Sequence, residues 1–333
     1  MADPLRHHGD VEARGATLDF AVNVYDGPRP PWLDAALLAS LAEVGTYPSA
    51  DRAQAAVAAH HRRPPDEALV TAGAAEAFTL VARLRPWRRP VVVHPQFTEP
   101  HAALEQAGRT VTPVVLAPPF VLSASAVPDD ADLVVVGNPT NPTGVLHPAA
   151  SLLALVRPGR LVVVDEAFMD CVPGEPASLA AERVPGLLVI RSLTKHWGIP
   201  GVRAGYVVGD PAVVAGLARA QTPWSVGTTA AAAVEACLTP AALDEAHRRA
   251  CEIEEWRKHL EHGLSELGIH HLPSSASFVL ARVGAGVHER LRSSGIALRR
   301  ADTFPGLDGT WVRIAVRGPE LTDRLLAALG DAP

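Results

Sequence analysis

Between residues 68 and 210, short β-branched runs alternate with stretches rich in alanine and leucine. The runs lie at 68–71, 90–94, 110–116, 132–138, 160–166, 187–192 and 203–209. Each is continuously apolar rather than alternating with period two, which predicts strands buried on both faces. Alternation with helices predicts a mostly parallel sheet in a three-layer α/β arrangement. After Thr222-Pro223 the texture changes. An alanine-rich helix is expected over 225–237 and a long charged amphipathic one over about 241–268. Shorter strand patterns follow at 277–283, 296–301 and 310–317, then a closing helix over 319–329. That is an α+β pattern. The expected division is a large domain over 46–235 and a small, discontinuous one made of 1–45 and 236–333.

Composition narrows the class. The 333 residues are 48% hydrophobic and 20% charged, enough to bury a large core. A net charge of −6 argues against nucleic acid as a partner. No apolar run reaches the roughly 18 residues of a membrane span, and the opening residues lack the apolar segment of a secretory signal. The three cysteines, Cys171, Cys237 and Cys251, are scattered and odd in number, as expected of a reducing, cytoplasmic compartment. The histidine pairs His7-His8, His60-His61 and His270-His271 lack metal-ligand spacing and read as surface residues, with His8 the exception. No metal is expected.

The scarcity of lysine is more informative. Of 30 basic residues only Lys195 and Lys258 are lysines. A guanidinium neither deprotonates near neutral pH nor forms imines, so a retained lysine points to chemistry that arginine cannot perform. Lys258 lies on a charged helical face beside Glu254. Lys195 lies in RSLTKHWGIPGVRAGY, which is no solvated helix face.

Three strand runs turn abruptly polar at their carboxyl ends, where ligands bind in parallel α/β sheets. They exit into Asn138, Asn141 and Thr143; into Asp165 and Glu166; and into Ser192, Thr194 and Lys195. A lysine for a Schiff base, an acid to hold a pyridine nitrogen protonated, and a phosphate cup together suit pyridoxal 5′-phosphate. Ser192 and Thr194 offer hydroxyls, Ala74 and Ala75 of TAGAAEAF offer amides at a helix start, and Arg203 offers a fork.

The motifs SLTKHWGIPGVRAGY, DEAFMD and NPTNPTG resemble the class I/II aminotransferase superfamily of fold-type I pyridoxal-phosphate enzymes, in register from about residue 17 to 317. The resemblance implies Lys195 as the Schiff-base lysine and Asp165 at the pyridine nitrogen. It also implies Asn141 beside the ring oxygen O3′, Ser192, Thr194 and Arg203 on the phosphate, and Phe97 on the ring face. Tyr47 looks like the tyrosine that such homodimers lend to the neighbour's phosphate. Phe168 stands where the family often has tyrosine. Within the superfamily the chain resembles the histidinol-phosphate aminotransferase group, especially its cobalamin-pathway branch, the threonine-phosphate decarboxylases. That implies substrate contacts from His8, Gly9 and Asn23, and an anion clamp of Arg299 and Arg313.

Two reactions are therefore expected candidates on a phosphorylated amino compound: decarboxylation of threonine phosphate as the first reading, and transamination of histidinol phosphate as the alternative. The bond at Cα held perpendicular to the cofactor ring is the one cleaved, so the arginine clamp selects between them. A catalytically silent binding protein conflicts with the intact Lys195, Asp165 and Arg203 set. Arg313 and Arg317 alternate with Val312, Ile314 and Val316, which also fits a solvated strand face. Arg299 and Arg300 point to opposite faces, and Arg299 is the one expected in the site.

Overall fold

The computed structural model describes residues 3–330; the ends of the expected small domain, residues 1–2 and 331–333, lie outside them. Among the described residues, twelve strands form two sheets. The larger contains β2 (Ala68–Thr71), β3 (Pro90–His94), β4 (Thr112–Val115), β5 (Leu133–Gly137), β6 (Leu161–Asp165), β7 (Leu187–Ser192) and β8 (Gly205–Gly209) in the order β2-β8-β7-β6-β5-β3-β4. Its ladders are parallel except where β8 meets β2 and β7. The smaller contains β1 (Leu18–Phe20), β9 (His270–His271), β10 (Phe278–Arg282), β11 (Ile296–Arg300) and β12 (Trp311–Ala315), ordered β1-β11-β12-β10-β9.

The helices are α1 (Gly9–Ala13), α2 (Pro31–Ser40), α3 (Asp51–His60), α4 (Gly73–Arg83), α5 (Glu99–Gln106), α6 (Ala149–Leu153), α7 (Pro211–Ala220), α8 (Thr228–Cys237), α9 (Pro240–Glu266), α10 (Val287–Ser293) and α11 (Pro319–Gly330). Helix α8 starts later than expected, at Thr228, because 225–227 belong to the preceding loop.

The pleat of the large sheet divides its valines between two cores. Val134, Val136, Val162, Val164 and Val189 face α3 and α8, whereas Val135, Val163, Leu188 and Ile190 face α4, α5 and α7. Burying each such side chain contributes about 1.5–3 kcal/mol, so the double-sided strands anchor the molecule. Edge strand β4 departs from the expectation. Its residues alternate between half-buried and exposed, since it has only one neighbour and Pro113 interrupts its donors. The small sheet buries one face against α9 and α11. Among the described residues no helix is long and apolar enough to cross a membrane, and no group of three side chains is placed to hold a metal ion.

The reversed direction of β8 matters for the site. It brings Gly205, at the start of that strand, level with Ser192 and Thr71 at the ends of β7 and β2. Arg203, two residues earlier, thus arrives at the same edge as the polar exits of β6 and β7.

Candidate active site

A cavity of about 510 Å³ lies at that edge, roofed by the small sheet and the N-terminal segment. Its walls include His8, Gly9, Asn23, Ala74, Ala75, Phe97, Asn141, Asp165, Ser192, Thr194, Lys195, Arg203, Arg299 and Arg313, so every site residue expected from sequence except Tyr47 meets there.

One end is a cradle of backbone amides and hydroxyls with a single guanidinium, that of Arg203. The first residues of α4 leave backbone N–H groups without helical acceptors. That of Ala72 is taken by Glu76 Oε2 at 2.6 Å, while Ala74 and Ala75 face the cavity. Gly73 has a φ of +75°, and a Cβ there would come within 2.5 Å of the Arg203 guanidinium. Glycine therefore lets the fork close over the helix start. Ser192 Oγ and Thr194 Oγ1 lie 2.8 Å apart. Amides, hydroxyls and a fork are the donors that a phosphate takes.

In the middle, Asp165 accepts from the Ala167 N–H at 3.0 Å. Burial, with Glu166 next to it, pushes its carboxyl up to about 7. Burial also depresses the Lys195 amine to about 8, helped by Arg313 and Arg203. A lysine poised near neutrality can act as nucleophile and base. Phe97 provides an apolar wall beside Phe78 and His8, and Phe168 meets Phe278 edge-on at 4.9 Å.

The other end is cationic. Arg299 and Arg313 face each other across the β11–β12 ladder and so project from the same face. Arg313 Nη1 donates to Asn141 Oδ1 at 2.8 Å, linking the two sheets; its Nε is buried without a partner. Arg299 donates to Thr303 Oγ1 at 2.7 Å and to the His7 carbonyl at 2.6 Å. Burial lowers Arg313 to about 9, with Arg299 contributing, and burial lowers Arg299 to about 10. Both stay charged at neutral pH and are balanced only through space, Arg299 by Glu12, Asp302 and Asp10 and Arg313 by Asp19. Asn23 Nδ2 is a second buried donor without a partner. Orphaned donors of this kind signal an absent acceptor.

Other residues singled out in the sequence stand in other surroundings. Arg313 and Arg317 are no solvated face: each is about 95% buried, because the N-terminal segment covers the strand. Arg300 turns outward to Asp302. Asn138 and Thr143 lie buried outside the cavity, with Asn138 folded back onto His147. His61 is buried and bonded to Tyr206 Oη at 2.9 Å rather than solvated. Tyr47 is 77% exposed, stacks on Trp224 at 4.3 Å, and lines a separate hollow with Arg52 and Glu235.

The cavity also holds residues the sequence did not signal. Glu99, the first residue of α5, binds His8 Nε2 at 2.6 Å and Arg6 Nη1 at 2.9 Å. Phe304 lies under the Arg299 guanidinium, 4.7 Å from it. An acid in a first helical turn looks like an ordinary dipole complement, so Glu99 carried no distinguishing mark.

The model of aminotransferase classes I and II matches residues 16–329. A histidinol-phosphate aminotransferase of Mycobacterium tuberculosis is 50% identical over 317 residues, which cover 94% of this chain and 87% of that protein. A threonine-phosphate decarboxylase of Salmonella typhimurium is 34% identical, over 94% of this chain and 90% of that one. The crystal structure of a histidinol-phosphate aminotransferase from Clostridium acetobutylicum superposes with a TM-score of 0.87 at 24% identity, covering 94% of this chain and 98% of that one, which speaks to the fold. The chain belongs to the class I and II aminotransferase family, enzymes that work with pyridoxal 5′-phosphate.

Proposed function

We propose that the protein moves an amino group between a phosphorylated amino compound of the histidinol-phosphate kind and a 2-oxo acid. The observation that carries this reading is the 50% identity, over nearly the whole chain, to a relative of that name. The two-ended cavity supports it.

The cradle suits the cofactor's phosphate. Ala74, Ala75, Ser192, Thr194 and Arg203 would hold it, Phe97 would cover the ring face, Asn141 would stand beside the ring oxygen, and Asp165 would face the ring nitrogen. When bound, pyridoxal 5′-phosphate supplies an electron sink for a carbanion at the substrate's Cα. Asp165 would hold a proton at the ring nitrogen. Lys195 would hold the cofactor, and its amine would move a proton at Cα. Arg299 and Arg313 bind the substrate's phosphate, and the same pair takes the carboxylate of the 2-oxo acid. His8, Gly9 and Asn23 close the site over the substrate. A Cβ on Gly9 would come within 2.5 Å of the Ala21 carbonyl, so this segment lies as close as backbone allows. A homodimer completes the assembly, with Tyr47 reaching the neighbour's cradle.

A second reading, decarboxylation of threonine phosphate, draws on the 34% relative and on the side-by-side arginines, which suit a substrate bearing both a carboxylate and a phosphate. One assay separates the two. Histidinol phosphate with 2-oxoglutarate is expected to yield glutamate at a rate far above CO₂ release from threonine phosphate. Stoichiometric CO₂ from threonine phosphate, with no amino transfer to 2-oxoglutarate, would replace the first reading by the second.

A further inference from the structure

Arg249 lies outside the cavity, yet its contacts converge on the backbone that carries Lys195. It is on α9 and only 1% exposed. Its Nη1 donates to the His196 carbonyl at 3.1 Å, its Nη2 to the Pro28 carbonyl at 2.8 Å, and its Nε to Glu245 at 2.9 Å. The guanidinium is sandwiched between the rings of Tyr25 and Trp197, at 4.3 and 5.0 Å. Tyr25 is the other half of the arrangement. Its backbone N–H donates to the Lys195 carbonyl at 2.9 Å, its hydroxyl donates to Glu252, and its ring stacks on Trp256. Glu245, Arg249, Glu252 and Trp256 follow one face of α9 at helical spacing.

We propose that Arg249 is a positioning residue for Lys195: through it and Tyr25, helix α9 fixes the turn after β7 and the strap 22–28 as one unit. The strap brings Val22 and Asn23 into the cavity, and the turn brings Lys195. One guanidinium therefore sets the distance between the lysine and the substrate-facing strap. A buried ion is a poor way to gain stability alone, since apolar residues of equal volume usually serve as well. Its fork instead reaches two carbonyls that no aliphatic side chain could hold. The inference rests on Lys195 being the cofactor lysine.

The test uses the full chain loaded with pyridoxal 5′-phosphate. Arg249→Met keeps volume and removes the fork; Arg249→Lys keeps the charge and reaches one carbonyl. Arg249→Met should lower kcat by roughly tenfold to a hundredfold with a smaller change in KM, as misplacement of a reacting group does. The pH midpoint of the cofactor's visible band should shift, and hydrogen exchange at the Tyr25 amide should accelerate. Arg249→Lys should recover part of each. A methionine variant that melts earlier but keeps the parent's kcat and band midpoint overturns the proposal. If Arg249→Met does not fold, Tyr25→Phe decides, since it removes only the hydroxyl bond to Glu252. Faster exchange at that amide with a shifted band supports positioning, and an unmoved band refutes it. A parent chain that forms no visible band refutes the cofactor reading itself, and the inference with it.

Discussion

The two ends of the cavity bind anions by different means. At the cradle, donors come from adjacent strand ends of one sheet, and Ser192 and Thr194 already bond to each other. At the other end, Arg299 and Arg313 come from the small sheet and are roofed by residues almost 300 positions earlier, and Arg313 keeps an unpartnered Nε. A preformed cradle with one guanidinium among neutral donors suits a group that stays; a pair of buried guanidiniums suits groups that come and go. Arg317 sharpens the contrast. Four residues beyond Arg313, it donates to the carbonyls of Asp19, Val22, Val24 and Val316, so its capacity is spent on the N-terminal strap.

The largest expected effect separates those two arginines. Arg313→Met should reduce kcat/KM by roughly 10²- to 10³-fold, the scale of a lost buried charge-assisted contact, with little loss of stability. Arg317→Met should do the reverse: a fall in Tm of several degrees as four carbonyls lose their donor, with kcat/KM changed far less. Steady-state kinetics and thermal melts on both variants check this. Equal losses of activity would erase the distinction between a substrate-facing arginine and a staple.

A smaller effect concerns the centre of the cavity, where burial acts against charge. The Lys195 pKa in the folded chain, about 8, lies below the ordinary lysine value of 10.5. Between those pH values the unfolded chain holds a proton that the folded chain has released, so stability rises with pH across that window. Below pH 8 the buried ammonium carries its full cost. Lys195→Met should therefore stabilise the cofactor-free protein at pH 7 by of order 1–3 kcal/mol, the gain fading as pH approaches 10.5. Melting curves of both proteins across pH 6–10.5 would show the difference. A gain independent of pH would assign it to packing instead. Asp165 runs the opposite way. Its raised pKa means that its destabilising contribution grows as pH rises from about 4 to about 7.

The same contrast explains what the sequence could tell. The cradle and the centre were legible because β6 and β7 change from apolar to polar within one residue, at Asp165 and Arg191, and because Lys195 is one of only two lysines. The cationic end was legible only as candidates. Whether Arg299 or Arg300 enters depends on register with Arg313, and register is a relation between strands. Arg313 and Arg317 read equally well as a solvated face, because nothing local says that residues 7–28 will cover them. Glu99 and Arg249 were silent for the same reason. An acid opening a helix and an arginine on a charged helix look ordinary until the fold brings His8 to one and the His196 carbonyl to the other.

The smallest expected effect lies at Tyr47, which faces away from its own cavity. Leu38, Leu41, Val44 and Trp224 are exposed along with it, an apolar surface of the kind a second subunit covers. Tyr47→Phe keeps the stack on Trp224 and removes one hydroxyl. If that hydroxyl bonds the neighbour's phosphate, cofactor dissociation should quicken by roughly threefold to tenfold, the worth of one hydrogen bond, while sedimentation still reports a dimer. A dimer whose cofactor affinity is unchanged would leave the cradle complete within one chain, and that end of the cavity would then need no help from a partner. A monomer that holds the cofactor as tightly as the parent would remove the second subunit from the comparison altogether.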